Sequence, residues 1–297
     1  MTPIQTISGK LFHEMLVSAA NSLENNKQKI NDLNVFPVPD GDTGTNMGLT
    51  ISAVLNMQPQ ESASDCASKA ANAVLLSARG NSGAILALFF RGFAKATKGH
   101  NEINADVLAN AFSIGKEEAY KAVMNPAEGT ILTVIRRCAE DAMEMKDQYA
   151  DNIADFMTKL LETAEITLDQ TPEMLPILKQ ACVVDAGGCG FVTILRGMLA
   201  AMVGKPVKSN EGKVPAAQVN EILARVVQGD LLVCKSLNQL QLVVRPRFFA
   251  DVVDFVFLQA DKVLQRFLNH GVSSSLILID EPENLRLGLF SAAHVDL

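Results

Sequence analysis

Apolar residues recur with a helical period through the first two thirds of the chain. The first apolar face comprises Leu11, Phe12, Met15, Leu16, Ala19 and Leu23. Ser8 precedes this face and can cap its helix, because a serine oxygen accepts hydrogen bonds from free N–H groups of the first turn. Further helices are predicted at about 62–77, 82–98, 103–124, 128–145, 150–168, 173–181 and 188–203. Strand-like alternation is absent here, so we predict a mainly α fold, a bundle of about eight helices whose end loops hold any ligand.

The pattern changes after this helical part. Residues 204–215, GKPVKSNEGKVP, are rich in Gly, Pro, Lys and Ser and are predicted to form a linker. Two helices, at about 216–227 and 248–269, and four strand-like runs, LLVCKS, LQLVVRP, SSLILID and NLRLGLF, follow it. We therefore predict a helical domain over residues 1–203 and a small α+β domain over residues 216–297.

The stretch from Asn34 to Met47, NVFPVPDGDTGTNM, carries the clearest chemistry. It places Asp40 and Asp42 one residue apart in a Gly-rich turn, which can direct both carboxylates at one hard cation. Magnesium that holds nucleotide phosphates fits such a pair, because it keeps several waters and accepts only a few protein carboxylates. The apolar spacing that follows predicts a helix whose N-terminus would face an anion. An Asx-rich turn between two helices is the alternative interpretation.

Three later segments also combine Gly and polar residues with the predicted start of a helix. They are SARGNSGAIL at 77–86, NPAEGTILTVIR at 125–136 and VVDAGGCGFV at 183–192. In this order, the four motifs resemble the DAK2-type ATP-binding domain shared by the L subunit of dihydroxyacetone kinase and the catalytic subunit of bacterial fatty acid kinase. The string NVFPVPDGDTGTNM is more similar to the fatty acid kinase branch. The resemblance covers about residues 8–203 and implies an antiparallel eight-helix barrel with nucleotide and magnesium at one mouth.

The resemblance also implies roles for individual residues. Asp40 and Asp42 would be the catalytic magnesium ligands, with Asn34 as the third ligand and Asp32, one turn earlier, as the alternative. The expected phosphate-binding residues are Asn46, Ser82 and Gly83, of which Ser82 and Gly83 stand at a helix N-terminus that can bind an anion. The residues expected to flank the base are Gly129, Thr130 and Ile131 in one loop and Asp185 and Gly187 in another.

The function implied by the resemblance is phosphoryl transfer with ATP and Mg²⁺ as cofactors. The expected acceptor is a fatty acid carboxylate that a separate acyl-binding protein presents, and the product is an acyl phosphate. Two alternatives stay open: the nucleotide-binding subunit of a glycerone (dihydroxyacetone) kinase with a separate substrate-binding subunit, and a truncated regulatory protein without catalysis. A homodimer is compatible with the sequence. The region after 216 resembles part of the middle domain of fatty acid kinase, whose remaining regions are missing after Leu297.

The composition is that of a folded protein whose net charge does not favour polyanions. Of its 297 residues 48% are hydrophobic, which is enough to bury a core. The 26 Lys and Arg residues are outnumbered by 33 Asp and Glu residues, so the net charge is −7 and nucleic acid and anionic membranes are not expected partners. No targeting segment and no sufficiently long apolar run is visible, so a cytoplasmic location is predicted.

Cysteine and histidine give no sign of a disulfide framework or a metal site. The five cysteines are Cys66, Cys138, Cys182, Cys189 and Cys234. They form no CxxC pair and lie in apolar or Ala-rich surroundings, so buried, reduced thiols are predicted. The four histidines show no metal-binding spacing, and phosphoryl transfer does not require one, since positioning and charge neutralisation can carry it.

Overall fold

The computed structural model describes residues 3–210 and the strand segments 231–236, 239–244, 274–281 and 284–291. The chain divides into two compact units, Met1–Ser209 and Asn210–Leu297. Helices dominate the described part of the first unit, which confirms the predicted mainly α fold. None of the helices among the described residues is both long and apolar enough to cross a membrane.

The helices of the first unit begin and end close to the predicted positions. They are α1 Gly9–Asp32, α2 Thr43–Ser52, α3 Ala63–Leu76, α4 Gly80–Thr97, α5 Ala105–Tyr120, α6 Ile131–Met145, α7 Ile153–Met174, α8 Pro176–Ala181 and α9 Ala186–Met202, with a 3₁₀ turn at Ala53–Asn56. Ser8 caps α1 as predicted, because its hydroxyl accepts the N–H of Leu11 at 3.3 Å. The predicted absence of strands is wrong at one place, where β1 (Ile7–Ser8) pairs antiparallel with β2 (Glu102–Ile103). Two residues are too few to show alternation.

The predicted end of a helix near residue 168 is also wrong, because α7 continues through Pro172 to Met174. A proline inside a helix lacks the N–H that would bond the carbonyl four residues earlier. Here the hydroxyl of Thr171 donates to that carbonyl, the oxygen of Leu168, at 2.7 Å. The side chain therefore replaces the missing backbone bond and the helix is not interrupted.

An aromatic cluster joins four helices of this unit. Phe12 of α1 stacks on Phe93 of α4, with ring centroids 5.2 Å apart. Phe89 of α4 meets Phe112 of α5 and Phe191 of α9 edge to face, at 5.6 Å and 5.2 Å. Such pairs stabilise beyond the area that they bury, so they fix the relative positions of α1, α4, α5 and α9.

The described strands of the second unit form one antiparallel sheet. They are β3 Leu231–Ser236, β4 Gln239–Val244, β5 Ser274–Glu281 and β6 Asn284–Ser291, in the order β3-β4-β6-β5. The four predicted strand runs are thereby confirmed over the residues that the structure describes; the last two residues of LQLVVRP lie outside them. The helices predicted at 216–227 and 248–269 lie outside the described residues, so the α+β class of this unit stays a prediction.

The cysteines agree with the prediction at three of the four positions whose side chains are described. Cys66, Cys138 and Cys189 are buried free thiols, and burial raises the pKa of each. Cys182 is exposed, so its predicted burial is wrong. It ends α8 in the left-handed conformation, with φ +55°, at the surface. The side chain of Cys234 lies outside the described residues.

Candidate functional site

One cavity of the first unit, with a volume of about 530 Å³, collects residues from all four motifs. Its wall contains the turn between α1 and α2, the loop between α5 and α6, and the first turns of α2, α4, α6 and α9. The predicted site residues that line it are Asn34, Asp40, Asp42, Asn46, Ser82, Thr130, Ile131, Asp185 and Gly187. Two predicted residues, Gly83 and Gly129, do not line it and instead allow close packing behind the wall.

The acidic turn is held in place by Asn34. This side chain is only 7% exposed, and its amide donates to the carboxylate of Asp40 at 2.6 Å and to the carbonyl of Val38 at 3.3 Å. Gly41, with φ +68°, makes the turn between the two aspartates. Asp42 is the N-cap residue of α2, yet its side chain makes no capping hydrogen bond. Both carboxylates can therefore serve a cation at the cavity.

The alternative third ligand, Asp32, is placed away from this turn. It is the last residue of α1, is exposed, and accepts a hydrogen bond from Gln28 at 2.8 Å. Among the described residues there is no group of three or more His, Cys, Asp or Glu side chains that could hold a metal. The donors at the acidic turn are instead two carboxylates, Asp40 and Asp42, and the amide of Asn34. This set fits magnesium, which usually takes one or two carboxylates and completes its shell with water and phosphate.

A side chain that sequence reasoning missed ties the start of α2 to α1. The side-chain oxygen of Asn31, Oδ1, accepts the backbone N–H of Thr45 at 3.0 Å, and the side-chain nitrogen, Nδ2, donates to the hydroxyl of Thr45 at 3.0 Å. Gly44 permits this approach, because a Cβ there would lie 2.2 Å from the carbonyl oxygen of Lys27. No local signal marks Asn31, since its partner lies in another element.

The helices that start at the phosphate motifs differ from most others in how they begin. Ser8, Ser62, Asn104 and Asn152 cap α1, α3, α5 and α7 with their side chains. Both α2 and α4 are uncapped in the sense that the side chain of the N-cap residue, Asp42 or Arg79, accepts no N–H of the first turn, although both first turns lie at the cavity. Within the described part of the chain, the N–H groups of Gly80, Asn81 and Ser82 have no acceptor. Free N–H groups at a helix N-terminus favour an anion.

The loop between α5 and α6 is anchored by an ion pair that the sequence did not reveal. Arg136 donates to Glu128 at 2.8 Å and to Glu140 at 3.1 Å. The hydroxyl of Thr133 donates to Glu128 at 2.9 Å and accepts the N–H of Gly129 at 2.8 Å. Hydrogen bonding from Arg136 holds the pKa of Glu128 below its ordinary value. These bonds to α6 fix the end of the loop that leads into this helix, including Thr130, which lines the cavity.

Asp185 joins the first turns of α6 and α9. Its carboxylate accepts the N–H of Gly188 at 2.7 Å, and its own N–H donates to the hydroxyl of Thr171 at 3.0 Å. The side chain is 5% exposed. Burial raises the pKa of Asp185 to about 6, and hydrogen bonds from the backbone of Gly188 and Ile131 oppose this shift. The carboxylate is therefore a structural cap at the cavity wall.

Apolar side chains form another part of the wall. Ile85, Val123, Ile131 and Leu132 all line the cavity. Gly187 lets α9 pack against α6, because a Cβ there would lie 3.2 Å from the Cβ of Ile131. A flat apolar group, such as a nucleotide base, can be accepted at this side, while charged groups are accommodated at the acidic turn and the free N–H groups.

Comparison with known proteins gives relatives that match about 70% of this chain. Protein YloV of Bacillus subtilis is 44% identical over 207 residues, which are 69% of this chain and 37% of that protein. An uncharacterised protein of Staphylococcus saprophyticus is 42% identical over 215 residues, which are 71% of this chain and 39% of the relative. The chain thus spans about two fifths of the length of these relatives.

Among solved structures, dihydroxyacetone kinase from C. freundii in complex with AMP-PNP and Mg²⁺ matches with a TM-score of 0.49 and 14% identity, over 68% of this chain and 35% of that chain. The native form of the same enzyme matches with a TM-score of 0.46 and 13% identity, over 68% and 36%. Residues 37–200 match the family model of the DAK2 domain. This match covers more than half of the 297 residues. The chain therefore belongs to the DAK2 domain family, as the four motifs predicted.

Proposed function

We propose that the helical unit binds ATP·Mg and transfers its terminal phosphoryl group to an acceptor. One observation carries the proposal: the acidic turn and the uncapped first turns of α2 and α4 line the same cavity of about 530 Å³. A volume between roughly 300 and 1,000 Å³ is typical of pockets for small molecules and cofactors. The carboxylates of the acidic turn can bind a cation, and the partial positive charge at the helix N-termini can bind the anion that accompanies it.

The residues then take separate tasks in the proposed site. Asp40 and Asp42 hold magnesium, and Asn34 keeps Asp40 in position and can add an amide oxygen. Magnesium, when bound, neutralises the charge that develops on the phosphates. Asn46, Ser82 and the free N–H groups of the first turn of α4 bind the phosphates, and the apolar wall near Ile131 receives the base. Because such transfers depend mainly on positioning and charge neutralisation, no histidine is needed.

For the acceptor we propose a fatty acid carboxylate presented by a separate acyl-binding protein, with an acyl phosphate as product. The string NVFPVPDGDTGTNM, similar to the fatty acid kinase branch, supports this choice. A glycerone kinase subunit and a regulatory protein without catalysis are the competing outcomes. Measurement of ATP turnover with a fatty acid and its binding protein, or with dihydroxyacetone and its binding subunit, separates all three. The acceptor proposal is overturned if only dihydroxyacetone supports turnover, or if neither acceptor does.

The nucleotide site itself is tested by titration calorimetry with ATP·Mg. Asp40→Asn and Asp42→Asn each remove one full charge from the turn and should weaken ATP·Mg binding by at least about tenfold, with little change in helix content. Asp32→Asn is the matched control, because Asp32 is exposed and lies outside the cavity wall. Wild-type affinity in both cavity variants would refute the metal assignment.

A further inference from the structure

Thr50 connects the backbones of two helices behind the cavity wall. This residue of α2 is fully buried, and its hydroxyl donates to the carbonyl of Asn46 at 2.6 Å. The same hydroxyl accepts the backbone N–H of Arg79 at 3.1 Å. Arg79 is the N-cap residue of α4. One side-chain oxygen therefore fixes the start of α4 relative to α2.

Two glycines allow the helices to come this close. A Cβ on Gly83 would lie 2.4 Å from the hydroxyl oxygen of Thr50, and a Cβ on Gly80 would lie 2.5 Å from the amide nitrogen of Asn46. Gly80 also has φ +58°, which favours glycine. Asn46 and Gly80 line the cavity, whereas Thr50 and Gly83 do not. The contact between α2 and α4 therefore has two parts: Asn46 and Gly80 meet at the cavity, and Thr50 and Gly83 meet behind its wall.

We infer that Thr50 is a positioning residue, which holds the uncapped first turn of α4 in register with α2 so that both helices can contact one phosphate chain. The inference rests on the proposed function and adds a residue that touches neither nucleotide nor metal. Its importance follows from the geometry of phosphoryl transfer, in which a displacement of about 1 Å can cost about a hundredfold in rate. Without the hydroxyl, the N–H of Arg79 loses its acceptor and the start of α4 loses its fixed position.

Two substitutions of the same residue isolate the hydroxyl. Thr50→Val keeps the shape of the side chain and removes the hydrogen bonds, whereas Thr50→Ser keeps the hydroxyl. Thr167→Val is the matched control, because Thr167 is also buried, at 4% exposed, and its hydroxyl donates to the carbonyl of Thr163 at 2.8 Å. No backbone N–H of another helix donates to Thr167 among the described residues.

Amide hydrogen exchange on the nucleotide-free protein and calorimetry with ATP·Mg are the two measurements. In Thr50→Val, exchange should be about tenfold faster at Arg79, which loses its acceptor, and at Gly83, whose N–H donates to the carbonyl of Arg79 at 3.0 Å, and ATP·Mg binding should be about tenfold weaker. Thr50→Ser and Thr167→Val should match the wild type in both. Wild-type exchange in Thr50→Val, or equal losses in Thr167→Val, would overturn the inference. If exchange is faster in Thr50→Val but the wild type does not bind ATP·Mg, the contact between the helices is supported and the proposed function is overturned.

Discussion

At the residue scale, Asp185 places a buried carboxylate between the first turns of α6 and α9. Burial raises its pKa from 3.8 to about 6. Between roughly pH 4 and pH 6 the folded chain therefore holds a proton that the unfolded chain has released. Since the folded state binds more protons in this range, the contribution of Asp185 to the free energy of unfolding falls as the pH rises through it and is constant above it.

Asp185→Asn should remove this part of the pH dependence. Guanidinium unfolding of the wild type at pH 4.5 and pH 6.5 should show a loss of stability on the order of 1–3 kcal/mol at the higher pH, and the variant should show much less. Asp65→Asn, at an exposed position of α3, provides the control. Glu118, whose pKa is lowered from 4.5 to about 2 by hydrogen bonds from Lys121 and Lys95, contributes the opposite pH dependence between these two values, and it does so equally in the wild type and in Asp185→Asn. If the free energy of unfolding changes between pH 4.5 and pH 6.5 as much in Asp185→Asn as in the wild type, the raised pKa of Asp185 is contradicted.

The sequence predicted the residues that line the cavity better than the residues that fix the lining residues in position. Asp40, Asp42 and Asn46 share one short string, so their proximity follows from local spacing. The hydrogen bond from Arg79 to Thr50 joins residues 29 positions apart, and Asn31 lies 14 positions from Thr45. Such pairs depend on how helices pack, which periodicity does not specify. Their residue types are ordinary within a helix, so they carry no signal of their own.

At the element scale, the period of the apolar residues was sufficient to find the helices and most of their ends. The extension of α7 through Pro172 was not predictable in this way, because it depends on the hydroxyl of Thr171 taking over a backbone bond. The same hydroxyl accepts the N–H of Asp185 at 3.0 Å. One threonine thus affects both a helix end and the cavity wall, and only the tertiary structure reveals it.

Close packing of α1 and α9 gives a prediction for a single glycine. A Cβ on Gly197 would lie 2.6 Å from the Cα of Ala19 and 2.8 Å from the carbonyl oxygen of Ser18. Backbone atoms cannot yield easily, so Gly197→Ala should lower the free energy of unfolding by about 1–3 kcal/mol. Gly48→Ala is the control, since the nearest atom there is a side-chain oxygen at 3.5 Å, and alanine should be neutral or stabilising by up to about 1 kcal/mol. Equal denaturant midpoints for the two variants would show that α1 and α9 can accommodate the added methyl group without loss of stability, which would contradict the prediction.

At the scale of the whole molecule, composition marked a linker at 204–215 but not its attachment to the helical unit. Ser18 of α1 accepts the N–H of Val207 at 2.9 Å. The amide of Asn21 donates to the carbonyl of Val207, and that of Asn25 to the carbonyl of Lys208, both at 3.0 Å. The first residues of the predicted linker are therefore bound along α1. A Gly/Pro-rich composition indicates a boundary, but it does not show which linker residues pack on a neighbouring helix.

This attachment decides where the helical unit can be cut. We expect a chain that ends at Ser209 to fold, because it keeps these hydrogen bonds and all four motifs, and a unit of about 200 residues usually buries enough surface to be stable alone. It should bind ATP·Mg as the full chain does and transfer phosphate poorly, since the acceptor must still be brought in line with the terminal phosphate. A chain that ends at Lys205 should also fold but melt roughly 3–6 °C lower, because three hydrogen bonds to α1 are lost while the bonds of Gly204 and Lys205 to the end of α9 are kept. Calorimetric melting, ATP·Mg titration and phosphate-transfer rates of the three chains test these expectations.

Two outcomes would contradict them. Equal melting temperatures of the two shortened chains would show that the 207–208 segment adds no stability. Transfer rates equal to that of the full chain, in either shortened chain, would show that the second unit is not needed for the reaction.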